Sequence, residues 1–426
     1  MTGLWQRLDD GERCDLRHIA LHAAGRRPLS RPARAPRARA PLPRFTSHSR
    51  WGELMRTSKK LAALGVVALA LATPAAVASA HGRPVPTPNP VVQSDQLAAP
   101  FNLDLSFGKV YFADGGLNLV GSLGTGGAPV TIAADQPGAS GIARSAGYLA
   151  FTTTVTNEET FENSASGLNI WGPLGSRVYA DTHAFEVANN PDKVNHYGVT
   201  NPSQCVTEAL TAAGFPVSYT GQVDSHAYSV ASYGRGWVVA DAGANVLFKV
   251  TSTGTISTLA VLPPQPHTVT SAEATALGLP SCVAGVTYAF EPVPTDVEVG
   301  RDGQLYVTTL PGGPEGPQLG ARGALWRVDP RTGHVTKLAG GFLGATNLAV
   351  GSRGEVYVAE LFGGKISKVD HGRVSTFVTL PGVVAVETAK DGSVWAATMA
   401  NDDPPAPGTI VQITKGHTHL RGWFHR

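Results

Sequence analysis

Apolar residues alternate with polar ones in short runs separated by glycine turns, and this pattern returns about six times between Ala98 and Thr414. The clearest copies are residues 295–299 followed by 302–307, and residues 347–350 followed by 354–358. Each unit continues with two more short apolar runs, so it predicts four strands in about 40 residues, which is typical of a propeller blade.

Aligning the copies on the glycine turn gives six units. Their turns centre on Gly108, Gly147, Gly236, Gly303, Gly354 and Gly392. Where nothing intervenes, the spacing is 38 to 51 residues. The pattern predicts an all-β fold, a six-bladed β-propeller of four-stranded antiparallel blades; seven blades stay open if residues 155–220 hide a degenerate one.

Four long interruptions break the repeat, at about 154–225, 263–292, 310–323 and 401–408. Each falls before a first strand or after a second strand, so all four should emerge on one face of the propeller. Two contain predicted short helices. One opens at Asn201-Pro202 and stops near Gly214, and the other runs from Ser271 to Gly278.

The last repeat runs short of one strand, and two segments could supply it. Residues 91–94 could become its outer strand, and residues 417–424 of the tail are the competing candidate. Either pairing would remove exposed strand edges. We assign residues 81–94 to a Pro-rich leader, 95–416 to the propeller and 417–426 to a C-terminal tail.

The first eighty residues predict export rather than fold. Residues 1–54 hold eleven Arg and no Lys, and we interpret them as an upstream mis-start; a real Arg-rich disordered arm is the alternative. Residues 55–80 form a secretory signal with cleavage after Ala80. No lipoprotein cysteine or C-terminal anchor follows, so the product should be freely extracellular.

Export changes the charge that matters. Residues 81–426 hold 20 of the Lys and Arg and 27 of the Asp and Glu, a net charge of −7, although the whole chain has +2. A mildly acidic protein is a poor partner for nucleic acid or an anionic membrane. We expect a monomer whose partner is a small molecule, a glycan or a protein.

Two cysteines remain after the cleavage site, Cys205 and Cys282. In an exported chain, two cysteines predict one disulfide, and two separate buried thiols are the alternative. A bridge between them would join two large insertions over the same face and stabilise them by about 3–4 kcal/mol.

Polar residues recur at equivalent positions on that face. Entering first strands are Asn102, His226 with Tyr228, Asp296 with Thr295, and Asn347 with Thr346; leaving second strands are Asp114, Asp241 and Glu360. Such carboxylates and amides could bind a cation such as Ca²⁺, with Asp296, Asn347 and Asn102 as the metal candidates. They could equally satisfy backbone groups and channel water. His226, beside Asp224, is the one candidate general base.

Residues 187–192, 223–228 and 292–303, together with the export signal, resemble the ScyD/ScyE family of secreted bacterial propeller proteins. The resemblance covers nearly all of residues 95–414. In that family the second phrase usually reads Val-Asp-Ser-Asn-Pro-Tyr, and here His226 and Ala227 replace the Asn-Pro pair. The resemblance implies a secreted propeller with no established reaction.

Two functions therefore stand at this point. The first is a binding or scaffold module that acts through the insertion-bearing face without catalysing a reaction. The alternative is a hydrolase or lyase like the gluconolactonase-like and streptogramin-lyase-like propellers, with a divalent cation in the central channel. The alternative rests on analogy of fold.

Overall fold

The computed structural model describes residues 88–157, 160–314, 316–402 and 405–415. The described chain contains seven four-stranded antiparallel sheets, and the predicted β-propeller is confirmed. The Arg-rich extension 1–54, the signal 55–80 with its cleavage site, most of the leader and the tail 417–426 lie outside the described residues.

Six sheets follow the repeat, and we number them in chain order. Sheet 1 consists of Pro100–Ser106, Lys109–Asp114, Leu119–Leu123 and Pro129–Ala133. Sheet 2 consists of Ile142–Ser145, Tyr148–Thr156, Asn163–Trp171 and Arg177–Asp181. Sheet 3 consists of Ala227–Tyr233, Gly236–Asp241, Val246–Thr251 and Ile256–Val261.

The remaining repeat sheets follow the same order. Sheet 4 consists of Pro294–Val299, Leu305–Thr309, Gly323–Val328 and Val335–Phe342. Sheet 5 consists of Ala345–Val350, Val356–Glu360, Lys365–Asp370 and Arg373–Thr379. Sheet 6 consists of Val383–Thr388, Val394–Thr398, Gly408–Lys415 and Pro88–Leu97. The first strands of sheets 1 to 6 contact one another in sequence, and that of sheet 6 contacts that of sheet 1.

Sheet 6 is closed by the N-terminal strand. Pro88–Leu97 pairs antiparallel with Gly408–Lys415, with Pro90 opposite Ile413. Of the two predicted candidates for the missing strand, the segment around residues 91–94 therefore takes the position. The sheet also includes residues 88–94, which the sequence analysis assigned to the leader.

The hydrophobic core lies between neighbouring sheets rather than at one centre. Each of the six sheet pairs has its own buried cluster, as between sheets 1 and 2 around Tyr111 and Phe151. The repeated aromatic position supplies Tyr111 and Tyr357 to these clusters, and Tyr306 and Trp395 pack against them. A period-2 strand in this fold buries both faces against the adjacent sheets, so the aromatics serve packing.

One predicted boundary is wrong. The first insertion does not begin near residue 154, because Asn163–Trp171 and Arg177–Asp181 are the outer strands of sheet 2. The insertion begins after Asp181 and ends before sheet 3. The long second and third strands, Tyr148–Thr156 and Asn163–Trp171, hid the repeat because they exceed the length of the other copies.

The two long insertions, residues 182–226 and 262–293, form a unit that we call the insertion subdomain. Its four-stranded sheet has the order Ser218–Thr220, His196–Gly198, Thr287–Phe290 and Gln265–Thr268. Its α-helices are Thr182–Asn189, Gln204–Ala212 and Ser271–Ala276. A two-stranded pair, Asn401–Asp402 with Pro405–Ala406, decorates the fourth interruption.

The N-terminal caps of the three helices agree with the sequence prediction at one helix and differ from it at the other two. The third helix has the capping box of Thr270 and Glu273 that its predicted start implies. The second helix is capped by Ser203, whose side chain accepts from the Val206 N–H at 3.3 Å, and not by Asn201. The first helix, capped by Asp181, was not predicted.

The insertion subdomain has its own core and its disulfide. Cys205 and Cys282 are bonded, as predicted. Leu210, Tyr288 and Phe290 are buried together with Leu319, which comes from the third interruption. Three of the four interruptions are thereby packed into one body, which is more than the disulfide-pinned lid that the sequence indicated. No helix in the described part of the chain is long and apolar enough to span a membrane.

Candidate functional site

Asp114, at the end of the second strand of sheet 1, accepts three backbone hydrogen bonds. Its Oδ2 accepts from the Ala98 N–H at 2.9 Å, and its Oδ1 accepts from the N–H groups of Ala99 at 2.9 Å and Leu117 at 3.0 Å. The side chain is fully buried. Asp114 therefore fastens the loop that enters the first strand to the turn that leaves the second.

Asp241 makes the same contacts in sheet 3. Its Oδ1 accepts from the N–H groups of His226 at 2.6 Å and Ala244 at 3.0 Å. Glu360, at the equivalent position of sheet 5, accepts from the Leu343 N–H at 2.8 Å. The three predicted site carboxylates at second-strand ends thus lie in separate sheets, and each holds its own entering loop.

Asn102, Asp296 and Asn347 lie on first strands, and each binds the first strand of the next sheet. The bonds run from Ile142 N to Asn102 Oδ1 (3.3 Å), from Leu348 N to Asp296 Oδ2 (2.8 Å) and from Val386 N to Asn347 Oδ1 (2.7 Å). Backbone N–H groups at the channel wall need acceptors when they are buried, and these side chains supply them. The same atoms therefore join adjacent sheets.

Asp296 also closes the channel. Its Oδ1 accepts from Asn102 Nδ2 at 3.4 Å and from the Ser229 hydroxyl. These residues belong to sheets 4, 1 and 3, and sheets 1 and 4 are opposite each other in the cycle of first-strand contacts. All three are at most 4% exposed. We call this layer the polar bridge.

The polar bridge leaves little for a cation at the predicted metal candidates. The oxygen atoms of Asn102, Asp296 and Asn347 already accept hydrogen bonds from protein donors. Within the described ranges, no group of three or more His, Cys, Asp or Glu residues is placed to hold a metal ion. These contacts fit the alternative in which the recurring polar residues satisfy backbone groups rather than bind a metal.

His226 is the last residue of the first insertion and lies beside the ring of Tyr228. Its ring centroid is 5.6 Å from that of Tyr228, which is 6.0 Å from that of Phe101. Burial lowers the pKa of His226 to about 3, because the charged imidazolium is poorly solvated there. A group with that pKa is a weak proton acceptor at neutral pH, so its chemistry differs from that of the predicted general base.

A second set of acids lies in the channel, and sequence reasoning missed it. Asp104, Glu298 and Glu387 are two positions beyond the buried midpoints of the first strands of sheets 1, 4 and 6. Unlike the residues of the polar bridge, they are partly exposed. The period-2 alternation that places Asn102 and Asp296 in the channel places Asp104 and Glu298 there too, and this was the available signal. We call these three residues the channel carboxylates.

Two of the channel carboxylates have raised pKa values. Burial raises the pKa of Glu298 well above its ordinary value, and the charges of Glu387, Asp296 and Asp104 raise it further. Burial, with the charges of Asp104 and Asp296, raises the pKa of Glu387 to about 8. Both shifts favour the protonated form of these carboxyl groups.

Asp104 differs from the other two because the charge of a cation acts on its pKa. Burial raises the pKa of Asp104, but hydrogen bonds and the charge of Arg144 oppose that shift. The backbone N–H of Arg144 donates to Asp104 Oδ2 at 2.8 Å, and the guanidinium carbon lies 4.5 Å from the centroid of the Tyr111 ring. Of the three channel carboxylates, Asp104 has the strongest reason to be ionised.

The channel carboxylates lie near the face of the propeller where the tight turns join first strands to second strands. In each of the first strands of sheets 1, 4 and 6, the first four residues are buried. Partial exposure begins at the fifth residue, which is the channel carboxylate. The strands then end at turns such as Phe107-Gly108, where both residues have positive φ (53° and 72°). The channel carboxylates are therefore reached from the face opposite the insertion subdomain, whereas the residues predicted from the sequence to carry the chemistry lie on the insertion-bearing face.

Comparison with known proteins gives only distant similarities. No protein-family model and no curated protein sequence matches this chain. Similar solved structures include a virginiamycin B lyase from Staphylococcus aureus (13% identity, 74% of this chain and 82% of that chain, TM-score 0.39). Two others are an oxidoreductase described as a glucose dehydrogenase, from Thermus thermophilus (16%, 77% and 100%, 0.44), and the PQQ-bound aldose sugar dehydrogenase of Streptomyces coelicolor (12%, 76% and 96%, 0.43). These similarities assign no reaction or ligand to this chain.

Proposed function

We propose that this chain is an exported hydrolase or lyase whose acid and base are the channel carboxylates Asp104, Glu298 and Glu387. The observation that supports the proposal is that these three acids come from the first strands of different sheets, are each partly exposed, and are close enough for the charge of Asp104 to act on both glutamates. Burying acids beside one another opposes folding, and carboxylates with separated pKa values are the usual means of acid–base catalysis. The disulfide of the insertion subdomain fits an extracellular location.

The roles follow from the charges around each group. Asp104, beside Arg144, is the base, and Glu387, whose pKa is raised to about 8, is the acid. In hydrolysis of an ester or lactone, water forms the new bond to the carbonyl carbon and gives its proton to Asp104. The bond to the leaving oxygen breaks, and Glu387 donates its proton to that oxygen. In a lyase the same base would remove a proton from carbon, the electron pair of that C–H bond would form a C=C bond, and the bond from the adjacent carbon to the leaving oxygen would break as Glu387 protonates that oxygen.

The sequence offers Asn102, Asp296 and Asn347 as candidate ligands of a divalent cation. They do not fit that task, because their oxygens accept hydrogen bonds from backbone N–H groups of the neighbouring strand and, at Asp296, also from Asn102 Nδ2. The proposed reaction therefore runs through the side chains of the channel carboxylates alone.

Turnover of a panel of lactones, esters and glycosides by the purified full chain tests this function. We expect Glu387→Gln and Asp104→Asn each to lower kcat by about 10²–10⁴-fold, the usual contribution of a general acid or base. Glu208→Gln, in the second helix of the insertion subdomain, is the control and should keep full activity. Activity retained by both channel variants would contradict the assignment.

A second candidate is the binding module of ScyD/ScyE type that the sequence suggested. Its support is the insertion subdomain, in which three interruptions share one core and a disulfide. A rigid body of loops on a scaffold is suited to recognition of a glycan or a protein. Screening on a glycan array separates the two candidates, since binding at the subdomain should survive Glu387→Gln and weaken when Cys205 and Cys282 are both changed to Ser.

A further inference from the structure

Buried acids also lie at the junction between the insertion subdomain and sheet 3. The helix Thr182–Asn189 and the turn after it carry Glu186 and Asp192, both with no exposed surface, and Asn190 between them. Among the described residues, Glu186 Oε1, Asn190 Oδ1 and Asp192 Oδ1 are buried oxygen atoms without a hydrogen-bond donor. Buried oxygens are almost always paired, so three within seven residues need an explanation.

The three side chains face one loop, residues 221–225. Glu186 Oε2 accepts from the Asp224 N–H at 3.0 Å, and Asn190 Nδ2 donates to the Gly221 carbonyl at 3.0 Å. A Cβ atom at Gly221 would lie 2.0 Å from Asp192 Oδ1, so only glycine allows this approach. Each side chain thus uses one polar atom to reach the loop or its surroundings and keeps a second oxygen unbonded.

The remaining Asp192 oxygen fastens the site to the subdomain and to sheet 3. Asp192 Oδ2 accepts from Tyr197 Oη at 3.1 Å and from Asn245 Nδ2 at 3.0 Å. These two donors fix the carboxylate, which leaves Oδ1 with a defined direction. Loss of side-chain freedom is therefore already complete before any ligand binds.

The junction has negative charge without a matching cation. None of the ion pairs within the described ranges includes Glu186 or Asp192. Glu186 and Asp192 are both fully buried, so neither carboxyl group is solvated by bulk water. The C-terminal end of the helix Thr182–Asn189 also presents a partial negative charge at this point. A bound cation would offset all of these terms.

We propose that Glu186, Asn190 and Asp192 form a binding site for Ca²⁺ that joins the insertion subdomain to the propeller. Two carboxylates and an amide supply oxygen ligands only, which is the donor set of Ca²⁺ rather than of Zn²⁺. Backbone carbonyls and water would complete the coordination shell. The site is separate from the channel carboxylates and does not depend on the proposed reaction.

The phrases 187–192 and 223–228, which carry the family resemblance, lie next to this site: Asn190 of the first phrase bonds Gly221, two residues before the second, and Asp224 of the second bonds Glu186, one residue before the first. Asn190 and Asp192 belong to the first phrase and Asp224 to the second. Their juxtaposition assigns both phrases to one structural feature.

Calorimetric titration of the full chain with CaCl₂, after treatment with EDTA, tests the site. We expect one ion per chain, a Kd of about 10⁻⁴–10⁻³ M as in extracellular calcium modules, and a rise of the thermal midpoint by about 2–4 °C in 10 mM CaCl₂. Asp192→Asn and Glu186→Gln should each weaken binding by at least tenfold. Glu298→Gln, in the channel, is the matched control and should bind as the wild type does.

The variants differ from the wild type by one oxygen-to-nitrogen exchange, and circular dichroism in EDTA establishes that they fold. A readout on the wild type alone adds a second test. Tyr197 contacts Asp192, so Tb³⁺ at the site should give tyrosine-sensitised emission that CaCl₂ removes and that falls in Tyr197→Phe. No calcium binding by the wild type, or binding unchanged in both junction variants, overturns the proposal. Loss of binding in Glu298→Gln alone would place the cation in the channel and overturn it as well.

Discussion

Carboxylates at the two ends of the propeller's strands have opposite surroundings, although both sets recur at equivalent repeat positions. Asp114 and Asp241, at second-strand ends, each accept bonds from backbone N–H groups and are fully buried. Glu298 and Glu387, inside first strands, are partly exposed and have raised pKa values. A strand end offers unpaired N–H groups, whereas the N–H groups within a strand are used by the sheet. Repeat position therefore does not decide the role of an acid; the supply of donors does.

The largest effect on stability is expected at a strand end. Asp241→Ala removes the acceptor of the His226 and Ala244 N–H groups and of the Ser225 hydroxyl, all of them buried. We expect a loss of about 3–5 kcal/mol in the free energy of unfolding, measured in urea. Glu298→Gln should change the same quantity by less than about 1 kcal/mol or increase it, because it removes repulsion. Equal losses of unfolding free energy in the two variants would contradict the proposed difference between strand-end and channel carboxylates.

Removing the disulfide probes the insertion-bearing end in another way. Changing Cys205 and Cys282 together to Ser should lower stability by about 3–4 kcal/mol through the entropy of the opened loop. Hydrogen exchange should show the loss in residues 196–220 and 265–290 first, since this sheet has its own core. Uniform loss of protection across sheets 1 to 6 would mean that the subdomain does not unfold separately.

The channel end should make stability depend on pH. Glu387 has a pKa of about 8 in the folded protein and an ordinary, lower value when unfolded, so the folded chain binds more protons between those values. The free energy of unfolding should therefore fall as pH rises from about 5 to 8. Glu387→Gln should make that fall smaller in urea titrations at about pH 5.5 and 8.5, and an unchanged fall would exclude this residue as its source.

The smallest effect concerns a turn at the open mouth of the channel. Ala146 has φ 47°, a conformation that glycine adopts without strain. Ala146→Gly should raise stability by about 0.5–1 kcal/mol in urea unfolding and leave the pH dependence as it was. Ala146 lies two residues beyond Arg144, so a change in the pH dependence would show that this turn affects the channel carboxylates through Arg144.

The fold was predictable from particular residues, and the sites were only partly so. Glycine turns with flanking alternation revealed the strands around Gly303 and Gly354, because that pattern is local. The sequence predicts an insertion where the outer strands of sheet 2 lie, because the strand Asn163–Trp171 is longer than the third strands of the other repeats. The second helix is capped by Ser203 and not by Asn201, because both residues can cap a helix and the path of the backbone decides which of them does.

The sites depend on distances that no local pattern contains. Asn102 and Asp296 are joined by a hydrogen bond across the channel, which converts two predicted metal ligands into a closing layer. Glu298 lies two residues from Asp296 in the same alternation, yet its neighbour Glu387 comes from sheet 6. Paired acids of this kind become visible only when the sheets are arranged in space.

The strand that closes sheet 6 has a consequence for how the protein is made. Pro88–Leu97 leaves the ribosome before every other strand of the propeller, but its partner, Gly408–Lys415, is almost the last. The seam therefore cannot form until synthesis is nearly finished, and its first strand waits unpaired throughout. A circular permutant that joins the two strands by a short hairpin and opens the chain at Ala98-Ala99, between sheets 6 and 1, would make each of the six repeat sheets continuous in sequence, and should fold faster.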